Sequence, residues 1–373
     1  MTRLRDLGLS VGQLPPGPLN AITDVAGVRV GSVTLVDGEG PLVVGRGPVR
    51  TGVTVIVPHE QIGVSPVFAG THTLNGNGEM TGLEWVRESG QLTTAIAITN
   101  THSVGTVRDA LVAADMAERN ERGSFWSLPV VAETYDGALN DINGIHVSTA
   151  HVHEALANAS GGPVAEGGVG GGTGMICHEF KGGTGTASRV VGSWRVGALV
   201  QANYGDRERL AIDGVPVGLE LPRSAIPSAW DEEEAVARSG AGSIIVVLAT
   251  DAPLLPHQLT RLAQRAGLGI ARMGGNGAHS SGDIFLAFST ANAGALTSYK
   301  ADGAGEPLTL SMLHDGAISD LFWGAIESTE EAICNALVAA ETMTGRDGIT
   351  AYALPHDALV AAMTKYGRGP AVA

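Results

Sequence analysis

The chain has 373 residues, 44 % of them apolar but only 4 % aromatic, and a formal net charge of −15. That size and apolar share exclude a disordered chain and predict a core built mostly from Ala, Val, Leu and Ile. The acidic balance, with no Lys/Arg run, excludes a nucleic-acid partner, and two cysteines, Cys177 and Cys334, are too few for a disulfide framework or a four-thiolate zinc site.

The first segment, MTRLRDLGLSVGQLPPGPLN, has no apolar h-region and breaks at Pro15-Pro16. No run of about 18 apolar residues follows, so the expectation is a cytoplasmic protein with no membrane partner. Strand-like runs come next: GVRVGSVTL (27–35), GVTVIVP (52–58), TAIAITN (94–100), LPVVAETY (128–135), RVGALVQANY (195–204), SIIVVLAT (243–250) and DIFLAFST (283–290). A helix is predicted over 104–119, where Val104, Val107, Leu111 and Ala114 share a face. Another is predicted over 147–159. Pro256 opens one reaching about Ala266. Ser228 with Asp231 reads as the start of a short helix before the Gly240–Gly242 turn. Ser328 with Glu331 reads as a capping box opening a helix to about Met343. Strands and helices mix without a clean βαβα alternation, which predicts a layered α+β fold with helices covering sheets. No linker divides the chain, so 1–373 is expected to form one domain.

Candidate chemistry sits at five places. In SGAGSIIVV a buried-type strand starts at Ser243 directly after Gly242. A serine hydroxyl needs a base, and an N-terminal serine supplies one in its own α-amine, whose reference pKa is about 7.7–8.0. Exposing that amine requires a cut between Gly242 and Ser243, which the same hydroxyl can make on the preceding carbonyl; the alternative is a plain turn. Ser281 and Asp283 are two apart, so in an extended segment they share a face and could support such an amine, or else serve a turn. Asn203 ends a strand and could aim its amide at an oxyanion, or close an Asx turn. Glu133 and Tyr135 could hold an ammonium group and donate a hydrogen bond, or form a half-solvated strand end. The glycine-rich run EGGVGGGTGMICHEFKGGTG lacks the order of a phosphate loop, since Lys181 precedes its glycines, and is read instead as backbone lining a pocket. No H-E-x-x-H is present, and the G-x-S-x-G at 8–12, GLSVG, precedes every strand-like run rather than following one, so neither a metal, nor a cofactor, nor a Ser-His-Asp elbow is expected.

Taken together, NAITDVAGVRVGSVTL, TLNGNGEMTGLEWVRESG, ITNTHSVGTVRDAL, AETYDGALNDINGIHV, GTGMICHEFKGGTGTASR, GAGSIIVVLATDAPLLPHQL and SSGDIFLAFST resemble the DmpA-type family of L-aminopeptidase D-amidase/D-esterases, which also holds the β-peptidyl aminopeptidases. The resemblance spans nearly the whole chain. It implies an αββα sandwich like that of N-terminal-nucleophile hydrolases but differently connected. It also implies self-cleavage into fragments 1–242 and 243–373, and a homo-oligomer such as a tetramer of cleaved heterodimers. Carried over residue by residue, Ser243 is the nucleophile and new N-terminus. Ser281 and Asp283 support it, Asn203 holds the oxyanion with Tyr135 as a second donor, and Glu133 takes the substrate's ammonium group. Some family members have glutamate where Asp283 stands, which changes the reach of that carboxylate. The implied activity is an aminopeptidase acting on short peptides, amides or esters. The alternatives are D- or β-amino-acid substrates with the same chemistry, or a silent ligand-binding relative.

Overall fold

The structure, a computed structural model, describes residues 1–119, 126–230, 242–296 and 307–370. The short helix expected after Ser228 lies outside them. In chain order the strands that build the fold are β1 (Arg29–Asp37), β2 (Val49–Val57), β3 (Val67–Gly76), β4 (Gln91–Leu92), β5 (Ile96–Asn100), β6 (Val130–Thr134), β7 (Ile176–Cys177), β8 (Phe180–Lys181), β9 (Gly183–Val191), β10 (Trp194–Asn203), β11 (Ser243–Thr250) and β12 (Gly282–Ser289). The helices are α1 (Leu83–Ser89), α2 (Val104–Arg119), α3 (Thr149–Ala157), the single turn α4 (Val217–Glu220), α5 (Pro256–Arg272), α6 (Ile318–Val338) and α7 (His356–Lys365).

One sheet has the order β1-β2-β5-β6 and the other β4-β3-β12-β11-β10-β9. In the larger sheet β11 and β12 run parallel, which requires a crossover, and α5 supplies it. Every residue of β11 is buried. A strand covered on both faces needs apolar side chains at successive positions, hence SIIVVLAT rather than an alternating pattern. Its two faces enter different cores. Ile244, Val246 and Leu248 pack with Leu259 and Leu262 of α5 and Ile333 of α6. Ile245, Val247 and Ala249 pack between the sheets with Ile98, Ala132 and Leu199. A third core joins the outer face of the smaller sheet, Val53, Val55 and Val131, to Val107 and Leu111 of α2 and Val152 of α3. The result is the αββα sandwich.

Two expectations change. The helix predicted to open at Ser328 starts at Ile318 and ends at Val338, so Ser328 and Glu331 sit mid-helix. Glu331 is not a cap: it pairs with Arg5 and with buried Arg189, each at 2.6 Å. The glycine-rich run lines the cavity, but at Ile176 and Glu179 and not with its glycines. Gly170–Gly172 form a buried turn wedged between the sheets, with the Gly170 and Gly171 N–H groups donating to Thr34 and Thr54 hydroxyls at 2.8 and 3.1 Å. Among the described residues no helix is long and apolar enough to cross a membrane.

Candidate active site

Side chains alternate along β11, so Ser243 shares its face with Ile245 and Val247 and points to the inter-sheet side. There it meets the end of the apolar layer, where a cavity of about 570 Å³ opens. Ser243 lies opposite Asn203 of β10 and Gly282 of β12. The Gly282 N–H donates to Ser243 Oγ at 3.0 Å. The preceding residue, Gly242, has φ +133°, and a Cβ on it would lie 2.3 Å from Asn203 O and 2.8 Å from Tyr204 Cα. Only glycine fits there, because both the torsion and the neighbouring backbone exclude a side chain.

Ser281 and Asp283 flank Gly282. Ser281 Oγ donates to Asp283 Oδ2 at 2.6 Å and accepts from Asn75 Nδ2 at 3.3 Å. Burial pushes the Asp283 carboxyl above its ordinary range, against the opposing hydrogen bonds of Ser281 and the Ile244 backbone. The pair therefore reaches Ser243 through backbone: the Ile244 N–H donates to Asp283, and Gly282, between the two, donates to Ser243 Oγ. Among the described hydrogen bonds, neither side chain meets the Ser243 hydroxyl.

Asn203 makes no Asx turn. Its Oδ1 accepts from the Ile176 N–H at 2.8 Å and its Nδ2 donates to the Tyr135 carbonyl at 3.0 Å. One Nδ2 proton is left over, beside the cavity that Asn203 lines. Tyr135 follows the end of β6 and is half exposed, with its ring over Gly137 and on the cavity wall.

Glu133, on β6, is buried at the cavity edge. Its Oε1 accepts from the Glu79 N–H at 2.9 Å and its Oε2 from the Thr101 hydroxyl. Burial pushes its pKa up, while those two hydrogen bonds pull it down. Glu79, Glu179 and Asp206 also line the cavity. Glu179 is neutralised by Arg223 at 2.7 Å, but among the described ion pairs no cation meets Glu133 or Glu79. Such a wall favours a cationic guest. Between this end and the serine lies Gly78: a Cβ there would be 3.2 Å from Glu133 Oε1 and 3.2 Å from Gly282 Cα.

The structure thus brings Ser243, Asn203, Tyr135 and Glu133 around one cavity, with Ser281 and Asp283 one backbone step behind. Sequence reading missed Glu79, Thr101 and Asn75. They come from turns and a strand end, and no spacing links them to the residues they serve.

The model of peptidase family S58 matches residues 20–351. The β-peptidyl aminopeptidase BapA of Sphingosinicella microcystinivorans is 52 % identical over 375 residues, covering 98 % of this chain and 93 % of that protein. Among solved structures, a β-aminopeptidase of Burkholderia sp. is 55 % identical with a TM-score of 0.90, covering 98 % of this chain and 99 % of that one. The L-aminopeptidase D-Ala-esterase/amidase of Ochrobactrum anthropi, described as a prototype for the serine aminopeptidases and a new variant of the Ntn hydrolase fold, is 47 % identical with a TM-score of 0.87, covering 98 % and 99 %. With that fold and a serine at the head of its central strand, the chain belongs to peptidase family S58 and is a hydrolase, an aminopeptidase of the N-terminal-serine kind.

Proposed function

We propose that Ser243 is the nucleophile of this aminopeptidase and that the chain creates it by cutting itself between Gly242 and Ser243. The observation that carries the proposal is the local geometry. A serine opens a fully buried central strand, faces the cavity, accepts a hydrogen bond from Gly282, and follows a residue that only glycine can occupy. In the cut, Oγ attacks the Gly242 carbonyl, the C–N bond breaks and the Ser243 nitrogen takes the proton. The resulting ester is hydrolysed by water to a Gly242 carboxylate and a free α-amine. In turnover that amine takes the hydroxyl proton while Oγ attacks the substrate carbonyl. The leaving group departs with a proton, and water releases the acyl group from Oγ. Asn203 Nδ2 donates to the oxyanion, with Tyr135 as the second donor. Ser281 and Asp283 orient and support the amine through their contacts beside Gly282 and Ile244. Glu133 binds the substrate's ammonium group.

The substrates are short peptides, amides or esters with a free N-terminal amine. The names of BapA and of the Burkholderia enzyme support a β-amino-acid residue at that end. The Ochrobactrum enzyme, named for L-aminopeptidase and D-alanyl esterase or amidase activity, supports the second reading, α-amino acids of either hand. Comparing kcat/KM on β-alanyl, L-alanyl and D-alanyl anilides decides between them. The fragments 1–242 and 243–373 are taken to stay together and to assemble as a homo-oligomer, which gel filtration reads. The nucleophile is tested on a gel and by N-terminal sequencing: the wild type should yield a fragment beginning Ser-Ile-Ile-Val, and Ser243→Ala should remain one folded, inactive chain. Normal cleavage of Ser243→Ala would remove Ser243 from the mechanism.

A further inference from the structure

Lys181, on β8, is wholly buried and does not line the cavity. Its Nζ donates to three backbone carbonyls, Gly182 at 2.7 Å, Met175 at 2.9 Å and Gly172 at 3.4 Å. An ammonium has three protons, and three acceptors surround it. Among the described ion pairs no carboxylate meets it. Its neighbour Cys177 offers no negative charge either, because burial pushes that thiol up to about 12. Burial also pushes the lysine down to about 7. A buried cation without a counter-ion is costly, so its place in the fold calls for an account.

The account lies in which carbonyl it holds. Met175 O and Ile176 N–H belong to one peptide unit, and that N–H donates to Asn203 Oδ1 at 2.8 Å. A cation on the carbonyl draws density through the peptide resonance and makes the N–H a stronger donor. That donor in turn polarises the Asn203 carboxamide and strengthens its Nδ2 protons, since linked hydrogen bonds reinforce one another. The same N–H decides which way round the amide sits, because an N–H cannot face the amide's NH₂ end. We propose that Lys181 is a positioning residue for the oxyanion donor: its ammonium holds and polarises the Met175–Ile176 peptide, which fixes the Asn203 carboxamide with Nδ2 toward the cavity. This rests on the reading of Asn203 as that donor.

A double-mutant cycle separates the two claims. Wild type, Lys181→Met, Asn203→Ala and the double variant are assayed on β-alanyl p-nitroanilide, with rates normalised to the fraction of cut chain. Asn203→Ala should lower kcat by ~10²–10³-fold. Lys181→Met should lower kcat about 10-fold with KM held within about twofold, as expected when a reacting geometry is loosened rather than removed. In the Asn203→Ala background the lysine change should have no further effect on kcat. Lys181→Gln, which keeps amide donors but drops the charge, is the second variant and should fall between wild type and Lys181→Met. An unchanged kcat in Asn203→Ala overturns the donor reading and the lysine role with it. An impaired Asn203→Ala beside a fully active Lys181→Met, or equal lysine losses in both backgrounds, overturns the lysine role alone. Failure of both lysine variants to fold would make Lys181 a scaffold residue and also overturn it.

Discussion

Replacing Gly242 by alanine should separate self-cleavage from turnover. At φ +133° the added Cβ would lie 2.3 Å from Asn203 O and 2.8 Å from Tyr204 Cα. These are backbone atoms at the end of β10, whose register places Asn203 opposite Ser243, so no flexible side chain can yield. A non-glycine residue in such a conformation costs about 1–3 kcal/mol, and overpacking about 1–3 kcal/mol more. Relief comes from turning the Gly242 peptide, which moves the very carbonyl that Ser243 Oγ must reach. If about 3 kcal/mol of this strain carries into the attack, cleavage slows by ~10²-fold. After the cut residue 242 is no longer bonded to Ser243, so kcat per cut chain should stay within about twofold of wild type. The assay follows fragment formation with time on gels, then measures kcat normalised to the cut fraction. Cleavage of Gly242→Ala at the wild-type rate would refute the requirement for glycine. A cut fraction whose kcat falls as far as the cleavage rate would refute the separation of the two steps.

Two further predictions concern buried carboxyls. Glu133→Gln should process normally, because the scissile Gly242–Ser243 bond carries no free amine. It should lose kcat/KM on free-amine substrates by about 30-fold or more, from the ~2 kcal/mol lower bound for breaking a buried charge pair, and change little on N-acetylated ones; equal losses on both would take it out of the ammonium site. Burial raises the Glu133 pKa, so in the wild type the acid-side loss on free-amine substrates should begin above the ordinary glutamate range and vanish in Glu133→Gln. Asp136 follows Tyr135, is wholly buried, accepts from Asn140 Nδ2 at 3.0 Å, and is pushed up to about 7. The folded chain thus holds a proton that the unfolded chain releases near 4. The stability this provides is complete below the unfolded pKa and is lost as pH rises through about 7. Asp136→Asn should match the wild type in thermal melts near pH 3.5, below the unfolded pKa, and exceed it by a margin that grows with pH to at most about 4 kcal/mol at pH 8, for a shift of about three pKa units. A difference independent of pH would sink that assignment.

What could be read from the sequence follows from what kind of contact each residue makes. β11 was legible because a strand covered on both faces is apolar at every position, and its predicted span, 243–250, is its span in the structure. β3 and β9 were not. β9 reads GTGTASRVV, with small residues where α6 and the N-terminal segment lie against it, so the apolar signal is weak. The Ser328–Glu331 spacing misled for a related reason. Glu331 serves Arg5, Arg189 and Asn20, partners far away in the chain that no local pattern reveals. The Ser281–Asp283 contact was legible because an i, i+2 pair in an extended segment must share a face, and the two are 2.6 Å apart. Glu79 and Lys181 bear on the site through backbone atoms, and Thr101 through a hydroxyl that donates to Glu133, far from it in the chain; none of this leaves a mark in spacing.

The sheet order explains how a cut at 242/243 can leave the site intact. In β3-β12-β11-β10 the two strands that follow the cut lie between two strands that precede it. β11 is bonded along its length to β10 on one side and to β12 on the other, and both its faces are buried in separate cores. The fragments can part only by breaking the β10–β11 and β12–β3 ladders and exposing both cores. The free end that the proposed cut creates would therefore stay pinned between Asn203 and Gly282, the residues it faces in the uncut chain. Strand parity then keeps the hydroxyl on the cavity side, since a slip of one residue would turn it toward α5 and carry Ile245 and Val247 out of the inter-sheet core with it. A nucleophile that is also a chain terminus would ordinarily fray. In the proposed cut chain the register that buries Ile245, Val247 and Ala249 would hold Ser243 in place.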